Sequence, residues 1–124
     1  MAKNHGRAAE LRAQHWLWLW GVQILMLNYK CRFGEIDIVG IDDTTLVFYE
    51  VKWRRNIRFG TSAAQVDRRK QGRILKAAEH FLQTRPLIAY HGLRFDVLAL
   101  GQENRWIKSA FSKEDLIPDS GMAR

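Results

Sequence analysis

Three charged residues on two neighbouring apolar segments have types and spacing that could do chemistry. Asp37 stands between Ile36 and Ile38, which strand alternation assigns to the opposite, buried face. Glu50 and Lys52 stand two residues apart in the next apolar segment. Two carboxylates are the ligands that Mg²⁺ prefers, with water and substrate phosphate at its remaining positions. The three residues are therefore candidates for a Mg²⁺ site (Mn²⁺ as a substitute) that acts on a phosphate, with Lys52 assisting.

The strands that carry these residues are expected to bring them together. Asp37 and Glu50 would lie on adjacent antiparallel strands joined by a short turn, so that their carboxylates are neighbours on one face. Glu50 and Lys52 would project from the same side of their strand, with Tyr49 and Val51 facing away. Charged side chains in such apolar strands are costly unless they are paired or bind a metal. The alternative interpretation is an exposed ion pair between two strand residues.

The order of the helical and extended segments predicts one α/β domain with a mixed β-sheet flanked by helices. A three-stranded meander precedes a helical crossover into a further strand, giving the order αβββαβ. We expect the domain to span residues 1–111 and residues 112–124 to form a flexible tail. The predicted elements are a helix from residue 4 or 5 to residue 20, ended by Gly21, strands at 22–29, 34–39 and 46–53, a helix at 62–82, a strand at 93–100 and a short strand or turn at 105–111.

Two further charged residues lie at the apolar faces of the predicted helices. Glu10 lies at the margin of the first helix's apolar stripe, one turn before Ala13. It could reach the sheet as a third carboxylate or remain solvated. Lys70 lies four residues from both Val66 and Ile74 in the second helix. Its ammonium group could extend to solvent or point toward a substrate groove.

Positive charge is concentrated in one segment of the chain. The protein has a net charge of +7, yet residues 52–76 alone carry +8 and the rest of the chain sums to −1. Such a segment attracts a polyanion, and we favour nucleic acid over an anionic membrane, with a solvated helix face as the third interpretation. The candidate phosphate contacts are Arg54, Arg55, Arg58, Arg68, Arg69, Lys70 and Arg73.

Cysteine content and the apolar segments indicate where the protein resides. A single cysteine, Cys31, excludes an intrachain disulfide and favours a reducing, cytoplasmic setting. The apolar stretch at residues 16–27 is shorter than the about 20 residues that cross a bilayer, and no signal-peptide cleavage site follows it. We therefore expect neither a membrane anchor nor a membrane partner.

Several motifs occur together in an order that resembles the YraN-like family of uncharacterised bacterial proteins. The resemblance runs from about residue 4 to residue 111. Its motifs are Gly6-x-x-x-Glu10-x-x-Ala13, Asn28, Gly-Glu-Ile-Asp-Ile-Val at 34–39, Leu-Val-Phe-Tyr-Glu-Val-Lys-Trp-Arg at 46–54, Phe59-Gly60, Lys70 and Arg-Phe-Asp-Val at 94–97.

The resemblance implies a restriction-endonuclease-like fold, close to archaeal Holliday-junction resolvases. The active site of that superfamily has a glutamate on the first helix, an aspartate on one strand and Glu-x-Lys on the next. The resemblance places these roles on Glu10, Asp37, Glu50 and Lys52, with the three acids as metal ligands. Ile36 stands where the superfamily often has proline, and Ala9 stands where the family usually has glycine.

These features lead to two main hypotheses. The first is a metal-dependent endonuclease that hydrolyses phosphodiester bonds in DNA, in preference to RNA, with branched or structured DNA as a candidate substrate. The second is a non-catalytic nucleic-acid-binding module that retains the nuclease fold. A third is a protein-interaction domain that uses the tryptophan-rich first helix. Resolvases of this superfamily act as dimers, which leaves a homodimer open.

Overall fold

The computed structural model describes residues 2–54 and 66–113. They form a five-stranded mixed sheet with the strand order β1-β2-β3-β4-β5, in which only the β3–β4 pair is parallel. The elements are α1 (Ala2–Leu19), β1 (Gln23–Cys31), β2 (Gly34–Asp42), β3 (Thr45–Arg54), α2 (Arg68–Thr84), β4 (Leu93–Gly101) and β5 (Arg105–Ile107). The predicted α/β class and αβββαβ order are confirmed, and the architecture is consistent with a restriction-endonuclease-like fold.

The two helices cover opposite faces of the sheet, and each face has its own core. On the face toward α1, Leu17 packs with Val47 and Tyr49. On the face toward α2, Phe81 packs with Phe48 and Ile74. Burial of these apolar side chains holds both helices against the sheet, at about 25 cal/mol per Å² of apolar surface removed from water. The sheet therefore forms a rigid platform between two helices.

Local signals in the sequence set the C-terminal end of α1 and the start of α2. Gly21 ends α1 with φ +84, and the Val22 N–H donates to the Leu17 carbonyl at 2.9 Å. The second helix begins at Arg68, later than the predicted residue 62, because the Asp67 side chain caps it. Residues 62–65 of the predicted helix lie outside the described residues.

Strand β2 departs from regular alternation at Asp37. Ile36 belongs to the core on the α2 face, whereas Ile38 belongs to the core on the α1 face. The prediction that both isoleucines share one face is therefore wrong. The regular pairing of β2 with β3 extends only as far as Ile38 and Tyr49, so the backbone is free to turn at the next residue. Asp37 thus stands at an irregular point of the strand.

Some sequence predictions cannot be compared with the structure. Arg55, Arg58 and the tail beyond residue 113 lie outside the described residues, as does the side chain of Arg54. Neither α1 nor α2, the helices in the described part of the chain, is long and apolar enough to cross a membrane.

Candidate functional site

Two strands bring Asp37 and Glu50 together. The register of β2 against β3 ends with Ile38 opposite Tyr49, and Asp37 and Glu50 are the next residues of the two strands beyond this last pair. The backbone pairing of the two strands ends here. In its place, the Asp37 carboxylate accepts a hydrogen bond from the Val51 N–H at 2.8 Å. The two acids thus lie on adjacent antiparallel strands, as the sequence predicts, and the charge of Glu50 acts on Asp37.

Glu50 is a buried carboxylate with a lysine partner from α2. Its side chain is only 5% exposed, and its Oε2 lies 2.5 Å from the Nζ of Lys70. Glu50 follows Phe48 on the side of β3 that α2 covers, whereas Tyr49 and Val51 pack toward α1, as alternation predicts. Lys70 remains 46% exposed, but its ammonium group turns to the Glu50 carboxylate and does not simply extend to solvent.

The Asp37 carboxylate has an altered proton affinity. Burial, followed by the negative charge of Glu50, raises its pKa from the ordinary value of 3.8 to about 7. The hydrogen bond from Val51 and the charge of Lys70 oppose this shift, while the charge of Glu10 adds to it. A cation placed beside the two acids would therefore relieve their repulsion, as the combination of burial and like charge predicts.

Glu10 joins the site through an asparagine that the charge pattern alone did not identify. With the Asn28 amide oriented so that its nitrogen faces both acids, Nδ2 lies 3.3 Å from an oxygen of Glu10 and 3.3 Å from an oxygen of Glu35. The register of β1 against β2 places Asn28 opposite Asp37. Asn28 has φ +52, a left-handed conformation that asparagine tolerates better than most residues.

Glu10, Asn28 and Glu35 therefore form a polar group at the edge of the Asp37 site. Asn28 occurs among the motifs of the family resemblance, but nothing in its spacing indicated a contact with Glu10 or Glu35. The strand irregularity that turns its side chain toward the helix is a tertiary feature. An asparagine within an apolar strand is the one sequence signal that could have drawn attention to it.

The donor set fits a hard divalent cation. Mg²⁺ is commonly held by one or two carboxylates together with water and phosphate, and Asp37 and Glu50 supply two. Glu10 would approach as a third. In residues 2–54 and 66–113, no three His, Cys, Asp or Glu side chains already converge closely enough to hold a metal ion. Lys52 is half-buried on β3, two residues beyond Glu50.

Basic residues surround the start of α2, the helix that carries Lys70. Arg68, Arg69 and Arg73 are exposed in its first turns. The Asp67 carboxylate accepts hydrogen bonds from the N–H groups of Arg69 and Lys70, and these bonds lower its pKa. The described members of the predicted basic segment are therefore exposed on the helix whose Lys70 contacts Glu50.

A second group of charged residues lies farther along the sheet. Asp96 on β4 is fully buried and binds Arg94 through two short contacts of 2.9 Å. Arg94 also donates to Asp42 at 2.8 Å, so the network joins β4 to the end of β2. The Arg-Phe-Asp-Val motif therefore stabilises the sheet in this structure.

Comparison with known proteins gives one consistent result. The family model described as "Uncharacterised protein family UPF0102" matches residues 9–100. A UPF0102 protein of Alcanivorax borkumensis is 43% identical over 118 residues, which cover 90% of this chain and 94% of the relative.

Two further relatives carry the same family name. A UPF0102 protein of Ectopseudomonas mendocina is 44% identical over 110 residues, which cover 86% of this chain and 92% of the relative. A UPF0102 protein of Psychromonas ingrahamii is 38% identical over 115 residues, which cover 90% of this chain and 93% of the relative. The chain belongs to the uncharacterised protein family UPF0102, the YraN-like family that its sequence motifs predicted.

Proposed function

We propose that the protein is a Mg²⁺-dependent endonuclease that hydrolyses phosphodiester bonds in DNA, in branched or structured DNA in particular, and that Mn²⁺ can substitute for Mg²⁺. The single observation that supports this proposal most strongly is the juxtaposition of Asp37 and Glu50. Two carboxylates lie on neighbouring strands, and burial together with the charge of Glu50 raises the pKa of Asp37 to about 7, so a cation placed between them would stabilise their charged forms. A hard cation and a phosphate would complete such a site.

Each residue of the site has a role in this proposal. Asp37 and Glu50 would hold the cation, with Glu10 as an additional ligand held in place by Asn28. A bound Mg²⁺ supplies charge stabilisation for a phosphate under attack and lowers the pKa of water. Lys52, on the same strand as Glu50, would orient the nucleophile or counter the charge that develops on the phosphate.

The basic residues would position the substrate. Arg68, Arg69 and Arg73 are exposed in the first turns of α2, the helix that carries Lys70, and can contact phosphates. Arg54, Arg55 and Arg58 are predicted to extend this phosphate-binding surface. We propose a DNA partner in the cytoplasm, bound by a monomer or a homodimer.

The ion pair between Lys70 and Glu50 favours a second candidate function. Lys70 places its ammonium group 2.5 Å from the carboxylate that a metal would need. A protein that retains this pair on binding DNA would be a non-catalytic nucleic-acid-binding module. Its DNA binding would be weakened by salt and insensitive to Mg²⁺.

A cleavage assay distinguishes the two candidates. Single-stranded, duplex, flapped and four-way DNA would be incubated with Mg²⁺ or Mn²⁺ and the wild type, Glu50→Gln or Asp37→Ala. We expect cleavage by the wild type and its loss in both variants, with DNA binding retained. Glu79→Gln is the matched control, because Glu79 is an exposed acid on α2 that lies 3.7 Å from Lys113.

Two outcomes would contradict the nuclease proposal. Equal cleavage by wild type, Glu50→Gln and Asp37→Ala would place the activity elsewhere, or in a contaminant. DNA binding without cleavage, together with no Mg²⁺ or Mn²⁺ binding in calorimetry, would support the binding module.

A further inference from the structure

A groove opens beside the carboxylates, between the N-terminal half of α1 and the strands β1 and β2. Its volume is about 750 Å³, which is large enough for a small organic ligand. Glu10 and Asn28 line it. The charge of Glu10 acts on Asp37, and Asn28 lies opposite Asp37 in the pairing of β1 with β2. We call it the α1–β1 groove. A chain of nucleotides with a phosphate at Asp37 would therefore have its neighbouring nucleotide within reach of this groove.

Two leucines give the groove an apolar surface. Leu11 on α1 is 58% exposed, and Leu27 on β1 is 40% exposed. They project from different elements into the same groove and belong to neither buried core. Exposed leucines beside a charged site can pack against the flat face of an unstacked base, which is the apolar part of a nucleotide.

The polar lining of the groove matches the remaining parts of a nucleotide. Gln14 supplies an amide that can pair with a base edge, and Glu35 supplies a carboxylate that can accept from an exocyclic amino group. Arg7 and Lys30 supply positive charge for a phosphate. A free inorganic anion is a poor match, because Glu10 and Glu35 line the same space.

We propose that the α1–β1 groove receives one unpaired nucleotide of the substrate strand, next to the phosphate held at Asp37 and Glu50. The inference rests on the proposed nuclease function and names its substrate class: DNA with an unpaired segment, such as a gap or a flap. In a duplex each base is stacked and paired, so a base can reach such a groove only after leaving the helix. Fully paired duplex and fully paired four-way junctions are therefore expected to be poorer substrates.

A binding experiment without divalent cations tests this inference. Fluorescein-labelled DNA with a three-nucleotide gap, a matched duplex and a fully paired four-way junction would be titrated in EDTA with the wild type, Leu11→Ala and Gln14→Ala. We expect each variant to bind gapped DNA about tenfold more weakly, while its affinity for duplex changes less than about twofold. Leu87→Ala is the matched control, because Leu87 is 95% exposed and does not line this groove.

A second readout locates the base itself. 2-Aminopurine placed in the gap should change its fluorescence when the wild type binds, and Leu11→Ala should remove most of that change. Thermal denaturation of every variant shows whether it is folded, so that a loss of DNA binding can be distinguished from a loss of folding. Leu11 lies on the exposed side of α1, so its replacement by alanine leaves both cores intact.

Several outcomes would overturn the inference, and they differ from those that would overturn the nuclease proposal. Equal losses for gapped and duplex DNA, or no loss for either, would exclude a nucleotide in the groove even if Glu50-dependent cleavage is found. A gap preference that depends on Leu11, without cleavage in Mg²⁺, would support the groove and exclude the nuclease. A wild type that binds no DNA would overturn both.

Discussion

Asp37 and Asp96 lie in the same sheet, but their surroundings differ sharply. Asp96 is fully buried, and its two oxygens accept from Arg94, the Trp106 Nε1–H at 2.9 Å and the Ser109 N–H at 3.0 Å. Within the described residues, Asp37 accepts one hydrogen bond, from Val51, and it faces the charge of Glu50.

The difference separates a structural acid from a candidate functional one. A buried carboxylate is tolerated when charge and hydrogen bonds compensate its lost hydration, as they do at Asp96. At Asp37 this compensation is incomplete, and the pKa rises to about 7 as a result. We infer that the Asp96 network stabilises the sheet, whereas Asp37 belongs to the pair of acids that is proposed to bind a cation.

The largest expected effect is on the Asp96 network. Arg94→Ala should lower the free energy of unfolding by about 3–5 kcal/mol, because it leaves a fully buried carboxylate without its charge partner. Urea denaturation measures this change. Lys108→Ala is the control: Lys108 lies 3.8 Å from Asp42 and is 56% exposed, so its loss should cost less than about 1 kcal/mol. Similar losses in both variants would contradict the structural role of the Arg94–Asp96 pair.

Asp37→Asn should have the opposite effect on stability. The folded protein holds the Asp37 proton up to about pH 7, whereas the unfolded chain releases it near 3.8. The resulting stabilisation is complete below pH 3.8 and is lost as the pH rises through 7. In EDTA at pH 8, the variant should therefore be more stable than the wild type by about 2 kcal/mol.

The pH dependence provides the check on this prediction. The stability difference between Asp37→Asn and the wild type should shrink as the pH falls from 8 to 5, measured by urea denaturation at each pH. A constant difference over this range would mean that Asp37 keeps an ordinary pKa. Glu79→Gln, at an exposed acid, should show no such trend.

Asn28→Ala should have a smaller effect, on cation affinity. If the Asn28 amide holds Glu10 in place, its removal should weaken Mg²⁺ binding about tenfold in calorimetry, as expected for a residue that orients a ligand. Asn104→Ala provides the matched control, because Asn104 accepts a hydrogen bond from Arg12 away from the carboxylates. Unchanged Mg²⁺ affinity in Asn28→Ala would remove Glu10 from the proposed site.

The smallest effect is expected at Tyr49, which packs against Trp106 beside the Asp96 network. Among the described residues, its hydroxyl is a buried polar group without a hydrogen-bond partner. Tyr49→Phe should leave the free energy of unfolding unchanged or raise it by up to about 1 kcal/mol. Tyr29→Phe should lower it by about 1 kcal/mol, since the Tyr29 hydroxyl pairs with His80 Nδ1. Equal losses in both variants would indicate a partner for Tyr49.

Patterns along the chain predicted much of the fold but not its irregular points. Gly21 indicated the end of α1, and alternation assigned Glu50 and Tyr49 to opposite faces. Alternation failed at Ile36 and Ile38, because a strand follows it only while its backbone remains regular. The predicted start of α2 was too early, since the cap at Asp67 outweighed the apolar periodicity before it.

The candidate site was predictable where it depended on strand spacing. Asp37 and Glu50 come close because a short turn joins β2 to β3 and their antiparallel pairing runs to Ile38 and Tyr49, the residues next to the two acids. The contact between Lys70 and Glu50 required α2 to pack on one particular face, and the sequence left that orientation open. The role of Asn28 depended on a positive φ and on the approach of α1, neither of which leaves a periodic signal.

The sequence by itself determined the elements, their order, the concentration of positive charge and the presence of acids on two paired strands. These properties follow from side-chain periodicity and chain connectivity, which are local. Only the tertiary structure decided which acid is compensated and which is not. The partners of Asp96 come from β4, β5 and the residues after it, whereas those of Asp37 come from β3, α1 and α2. Proton affinity and cation binding depend on these distant groups, because burial and charge act through space and not along the chain.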